Sequence, residues 1–186
     1  MHDRPRNHIS VTYITRILCP PLSAQAALDW KGPEHRYYTD IADFIRQASD
    51  KPQEDLDELW CRIVFTILVS NTDDHLKNHG FLYAGRSRWR LSPAFDINPA
   101  PMRQRMLQTG IMEGSSFEVS LTLALEAAPR FGLEPRNAKR TVARMAKVVH
   151  ENWRKDFRAA GASSHETQAF VPAFEHRAME LALSLQ

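Results

Sequence analysis

At 186 residues, with 43% hydrophobic and 25% charged residues, the chain can bury one sizeable core and has the balance of an ordinary globular domain. A net charge of +2 makes no strong electrostatic case for nucleic acid, and two cysteines, Cys19 and Cys61, argue against a disulfide framework and for a reducing, cytoplasmic setting. No apolar run reaches the roughly 20 residues that a bilayer crossing needs, and the opening MHDRPRNHIS lacks the apolar core of a signal peptide.

Met1 to Ser10 is polar and reads as extended, and Ile9 to Leu18 is β-branched enough for a strand that Pro20 and Pro21 stop. Ser23 to Leu28 begins a short helix, and Trp30 to Tyr38 reads as loop. Ile41, Phe44, Ile45 and Ala48 then fall at i, i+3, i+4 and i+7, the buried stripe of a surface helix. Asp50 to Gln53 has the form of a capping box, with Asp50 as N-cap and Pro52 tolerated in the first turn. Leu56, Leu59, Trp60, Ile63 and Ile67, widened by Val64, Phe65 and Leu68, give the helix that follows an apolar surface too broad for an edge position, so it is central. Glu54, Asp55, Asp57 and Glu58 crowd its positive end and read as a solvated face that favours the helix dipole.

Gly80 to Ala84 and Arg88 to Leu91 are β-prone runs separated by Gly85, Arg86 and Ser87, the composition of a hairpin turn. The segment from Asn98 to Gly114 has two prolines, three methionines and no sustained period, and reads as a connecting loop. Ser115 to Glu118 forms a second capping-box pattern, opening a helix through Leu121, Leu123, Leu125 and Ala128 that Gly132 stops. Ala138, Val142, Met145, Val149 and Trp153 mark a long helix to about Phe157, and its Arg and Lys residues, interleaved with Glu151 and Asp156, read as a solvated face. A break at Ala162 to Thr167 precedes a last helix from Ala173 to Ser184, packed through Phe174, Met179, Leu181 and Leu183. The expected fold is a single, mainly α domain over residues 1–186 with a small β-hairpin.

Candidate chemistry gathers between Ser70 and Ile97. The central helix ends in a loop holding Asp73, Asp74, His75, Lys77, Asn78 and His79, and the hairpin returns Asp96 toward it. A carboxylate and an amide oxygen five residues apart, joined by a further carboxylate, suit a hard cation such as Mg²⁺, which takes oxygen ligands and keeps phosphate company. Taken singly, these residue types are also those of ordinary capping turns. His75 and His79, four apart, raise a metal-dependent hydrolase as a rival, but the zinc-protease pattern needs Glu directly after the first His, and Leu76 stands there.

Thr72-Asp73-Asp74-His75-Leu76-Lys77-Asn78 followed by Leu91-Ser92-Pro93-Ala94-Phe95-Asp96-Ile97 resembles the paired signatures of the HipA family of toxin-antitoxin serine/threonine kinases, in their C-terminal, large-lobe region. The spacing of Asp73 and Asn78 is also that of base and metal-binding Asn in the protein-kinase catalytic loop. The resemblance implies a kinase-like large lobe, with Asp73 as the residue that orients and deprotonates a substrate serine, and it puts Asn98 to Gly114, equally readable as a plain connecting loop, in the place of the activation and substrate-docking segment. It casts Asn78 and Asp96 as ligands of Mg²⁺ on ATP, Lys77 as a point charge on the transferred phosphoryl, and His75 as a support of the loop. Asp96 would stand where kinases carry the Asp of DFG, although Ile97 and Asn98 follow it here. As partners it implies a helix-turn-helix antitoxin that binds operator DNA, and aminoacyl-tRNA synthetases as protein substrates. No glycine-rich phosphate loop occurs among the seven glycines, so the expectation is a lobe without its nucleotide-covering partner. That partner would be a separate small lobe, and ATP binding by the chain alone would be weak. The alternative is a non-catalytic, kinase-derived module that binds the antitoxin.

Overall fold

The computed structural model describes residues 22–28, 36–101 and 106–185. The strand expected over Ile9 to Leu18, the extended start from Met1 to Ser10, most of the loop from Trp30, and Cys19 lie outside the described residues.

The interior is organised around helix α3 (Pro52–Leu68), which follows α1 (Ala24–Ala27) and α2 (Tyr38–Ala48). Leu59, Trp60, Ile63, Val64, Ile67 and Leu68 are all fully buried, so α3 meets neighbours on nearly every side over its last three turns. Among these six the one polar group is satisfied, for the Trp60 indole N–H donates to the Ala124 carbonyl at 2.9 Å. Helix α2 packs on α3 through Ile41, Ala42 and Ile45. From the other side come α4 (Leu121–Ala127), the 3-10 turn Ala128–Phe131 and the long α5 (Pro135–Ala159), which buries Ala138, Val142, Ala146 and Trp153. Helices α6 (Ser164–Ala169), α7 (Val171–Phe174) and α8 (Arg177–Ser184) close the chain along α5. Among the described residues, no helix is long and apolar enough to cross a membrane.

Among the described residues, one three-stranded antiparallel sheet accompanies the helices, in the order β1 (Leu22–Ser23), β2 (Gly80–Gly85), β3 (Arg88–Leu91). The hairpin falls where composition puts it, with Phe81 opposite Leu91 and Tyr83 opposite Trp89. Its turn residues Arg86 and Ser87 both take positive φ, 50° and 58°. That twist is the one a two-residue hairpin wants and is usually supplied by Asn-Gly. The fold is therefore mainly helical with a small sheet, as expected, with β1 adding a third strand.

Several local expectations are corrected. The N-cap of α3 is Lys51, with Pro52 first in the helix, and Gln53 donates to Asp57 and to the Phe131 carbonyl instead of closing a capping box on Asp50. Likewise α4 is capped by Ser120, whose hydroxyl accepts from Leu123 N–H, while Ser115 closes a turn on the Met112 carbonyl. The stretch 162–167 is not a plain break: Ser163 and Glu166 form a capping box that starts α6. The last helix is two, interrupted at Glu175 and His176. Met179 and Phe174 are buried, but Leu181 and Leu183 are 38% and 40% exposed, and Ala182 takes the inward place. Among the four acids of α3, Asp55 is no solvated residue. It is 2% exposed and accepts from Ser49 Oγ, Arg90 Nε and the Leu91 backbone N–H, fastening β3 to the start of α3.

Candidate functional site

The loop leaves α3 through a tight reversal. Ser70 takes a φ of 56°, a left-handed conformation that costs a non-glycine residue energy, and its hydroxyl donates to the Ala173 carbonyl at 2.9 Å. Asn71 N–H then reaches back to the Thr66 carbonyl at 2.9 Å. A stiff helix and two anchors thus set the starting point of residues 72–79.

Asp74 is the centre of the loop's underside. It is 3% exposed, takes a hydrogen bond from Tyr38 Oη at 2.5 Å and lies 3.1 Å from His79 Nε2. The Tyr38 and His79 rings meet edge to face. Burial by itself would raise the Asp74 carboxyl, but the bond and charge of His79, with the Tyr38 hydroxyl and the charge of His75, outweigh it and hold the group below the usual carboxylate range. Burial first, then the Asp74 charge, pushes the Tyr38 phenol well above its ordinary value. The Thr109 hydroxyl donates to the Asp74 carbonyl at 2.9 Å, so the segment after Asp96 is stitched to the same residue. Residues 107–110 are tied further, because Tyr38 N–H donates to the Gly110 carbonyl at 2.8 Å. Gly110 has no room for a side chain: a Cβ there would lie 2.5 Å from the Tyr37 ring.

Asp73 points the other way. Its carboxylate is exposed, with Oδ1 accepting from Gln108 Nε2 at 2.5 Å. Asn78, on the 3-10 turn Leu76–Asn78, is 6% exposed and donates its Nδ2 to the Asp73 carbonyl at 3.2 Å. With the nitrogen so used, the Asn78 side-chain oxygen is left as an acceptor. His75 is half-buried and Lys77 exposed.

The hairpin brings the second motif to this place. Asn78 lines a narrow cleft together with Arg62, Asp74, His79, Ala94, Phe95 and Ile97, so the residues on both sides of Asp96 line it with Asn78 while Asp96 itself does not. Asp96 itself is exposed, has a φ of 58°, and accepts from Asn98 Nδ2 at 2.8 Å. On its other side Ile97 contributes to an apolar cavity of about 300 Å³ with Phe65, Val69, Trp153 and Phe174.

Among the described residues no three or more His, Cys, Asp and Glu side chains gather for a metal, and the His79 ring is engaged with Asp74. That donor set does not suit zinc. An amide oxygen and one carboxylate beside a cleft do suit Mg²⁺, which takes one or two protein oxygens and fills its remaining positions with phosphate and water. Sequence reasoning left Asp74 and His79 without roles and did not single out Tyr38, Gln108 or Arg62. Nothing in the spacing marks them, since Tyr38, Gln108 and Arg62 meet partners 30 or more residues away.

A family model described as the HipA-like C-terminal domain matches residues 4–153. A putative kinase of Haemophilus influenzae (strain ATCC 51907 / DSM 11121 / KW20 / Rd) is 34% identical over 67 residues, covering 34% of this chain and 20% of that protein, so the chain aligns with a fifth of that relative's length. Among solved structures, the complex of the Shewanella oneidensis MR-1 toxin-antitoxin system HipA, HipB and its operator DNA contains a chain that superposes with a TM-score of 0.67 at 14% identity. That match covers 88% of this chain and 42% of that one. At such identity the likeness speaks for the fold.

Proposed function

The chain belongs to the family of HipA-like C-terminal domains, and on that premise we propose that it is the large lobe of a HipA-like serine/threonine kinase, moving a phosphoryl group from Mg-ATP to a protein serine. The observation that carries the reading is Asn78. Its amide nitrogen is spent on the carbonyl of Asp73, and the residue lines a cleft together with Phe95 and Ile97, the two chain neighbours of Asp96. One bond thereby fixes the distance between the residue that would meet the serine and the residue that would meet the metal.

Asp73 divides its two oxygens between tasks. Oδ1 is anchored by Gln108, which leaves Oδ2 to accept the serine hydroxyl and take its proton as the oxygen attacks. Asn78 and Asp96 would hold Mg²⁺, and Mg-ATP when bound supplies the transferable phosphoryl and the neutralising charge. Lys77, exposed on the same turn, would meet phosphoryl oxygens as a point charge, and His75 would support the turn. Reactions of this type depend mostly on position and charge, so no serine or cysteine nucleophile of the chain is required.

The phosphate cover and the adenine grip would come from a small lobe that is not part of these 186 residues, and ATP binding by the chain alone would be weak. The proposed partners are a helix-turn-helix antitoxin and a protein substrate of the aminoacyl-tRNA synthetase class. A purely antitoxin-binding role is the second reading, favoured by the HipB-bound state of the structural neighbour. Transfer of labelled phosphoryl to a protein serine by the chain supplied with a HipA-type small lobe separates the two. The kinase reading expects transfer, reduced at least about 100-fold by Asp73→Asn. No transfer from a folded, complemented wild type would leave the binding role.

A further inference from the structure

Arg62 is the one charged side chain of α3 that reaches the cleft beside Asn78. It lies on the inner half of the helix and is 6% exposed. Its Nη2 donates to the Ser92 carbonyl at 2.5 Å, and its Nε donates to Glu58, one turn back, at 2.9 Å. Its Nη1 is buried with no acceptor among the described residues. A buried, incompletely paired guanidinium is a cost to the fold, so the helix carries it for what it holds.

What it holds is the start of the Asp96 segment. Ser92 is the first residue beyond β3, and its own N–H donates to the Gly80 carbonyl at 2.8 Å, the last ladder-like bond before the chain runs free through Pro93 to Asp96. From there to Ile97 the backbone has few anchors: Ser92 Oγ bonds the adjacent Pro93 carbonyl, and Asn98 bonds Asp96 itself. Arg62 is therefore the polar tie between this segment and the helix that also carries the Asp73 loop, beside the apolar packing of Ile97 with Phe65 and Val69.

We propose that Arg62 is a positioning residue that sets the separation of Asn78 and Asp96, so that both reach one divalent cation. It touches neither metal nor nucleotide; it acts through the Ser92 carbonyl. This rests on the kinase-lobe reading of the site. The planar fork explains the residue type, since Nε and Nη2 leave one rigid plane toward two partners, Glu58 and the Ser92 carbonyl, and a lysine has only one nitrogen to offer.

Mg²⁺ provides a test that needs no catalysis, because a diamagnetic ion shifts the resonances of the groups that coordinate it and their immediate neighbours. In the 186-residue chain labelled with ¹⁵N, titrated Mg²⁺ is expected to shift the Asn78 side-chain amide and the backbone amides of 95–97 with one common midpoint. In Arg62→Met the two sets separate: Asn78 still shifts, while 95–97 need at least tenfold more Mg²⁺. Arg62→Lys, which can keep a single bond to the Ser92 carbonyl, falls between the two. Glu58→Ala, at an exposed position, loosens the fork from its far end and gives a smaller separation, about threefold, should Arg62→Met not fold. A common midpoint in every folded variant overturns the role of Arg62 while leaving the metal site standing. Absence of shifts at both places in the wild type overturns the metal site itself, and Arg62 with it.

Discussion

Asp73 and Asp74 are adjacent, chemically identical and put to opposite uses. Asp74 faces inward, bonded by Tyr38 and His79 and held below the usual carboxylate range, while its carbonyl takes the Thr109 hydroxyl. Asp73 faces out, with one oxygen held by Gln108 and one left over. On the underside both carboxylate oxygens and the carbonyl of Asp74 have partners, although the buried His79 Nδ1 has none among the described residues, whereas at the rim one Asp73 oxygen stays in reserve. Groups that hold a fold need all their partners within it, and groups that act on a ligand must keep bonding capacity in reserve. Asp55 belongs with Asp74 by this test, and Asn78, with its nitrogen spent and its oxygen free, stands between the two classes.

Substitutions sharpen that contrast. The largest expected effect is on transfer: Asp73→Asn lowers it at least about 100-fold yet changes the unfolding free energy in urea by no more than about 0.5 kcal/mol. Equal losses of activity and stability would erase the distinction between rim and underside. Asp74→Ala and Asp55→Ala should each cost about 3 kcal/mol in chemical denaturation, because each leaves two or more buried donors without an acceptor. Tyr38→Phe, which removes one charge-assisted bond from Asp74 and keeps the ring, should cost about 1.5 kcal/mol. At the far end of the chain Met179→Ala should cost about 3 kcal/mol, whereas Leu181→Ala stays within about 0.5 kcal/mol. The smallest expected change is a gain: Asn-Gly in place of Arg86-Ser87 should stabilise by roughly 0.5 kcal/mol, since those residues suit a turn with positive φ.

The underside also predicts a pH response. Asp74 has a lowered carboxyl in the folded chain, so its contribution is present above the unfolded value of about 3.9 and is lost as pH falls below it. Tyr38 is raised, so its contribution is present below about pH 10 and is lost as pH climbs past the unfolded phenol value. Asp74→Asn should flatten the acid limb of a stability curve and Tyr38→Phe the alkaline limb. A curve for Asp74→Asn that falls as steeply in acid as the wild type would show that the carboxyl is not what the acid attacks.

Much of the fold is legible in the chain because periodicity and turn composition are local. The central helix, the long basic helix, the hairpin and the two motifs around Asp73 and Asp96 are all placed by such signals. What escapes is decided by contacts distant in sequence. An acid in the first turn of a helix has an adequate reason to be solvated, and only β3, arriving with Arg90 and Leu91, buries Asp55. Both cap assignments that fail, Asp50 and Ser115, follow a spacing rule where the entering chain selects another residue, Lys51 or Ser120. Leu181 and Leu183 satisfy a hydrophobic pattern, but α8 begins afresh at His176 and turns Met179 and Ala182 inward. At the site, the motifs single out Asp73, His75, Lys77, Asn78 and Asp96. They are silent on Asp74, His79, Gln108 and Arg62, whose roles exist only once the chain is folded.

Counting bound Mn²⁺ through the loss of the free-ion paramagnetic resonance signal, with no nucleotide present, addresses the shared metal most directly. One ion per chain is expected for the wild type, with Asn78→Ala and Asp96→Ala each weakening it at least tenfold and the double variant little worse than either alone. If both single variants, folded and as stable as the wild type, hold Mn²⁺ with unchanged affinity, no common ion joins the loop to the hairpin segment and the phosphoryl-transfer account is wrong.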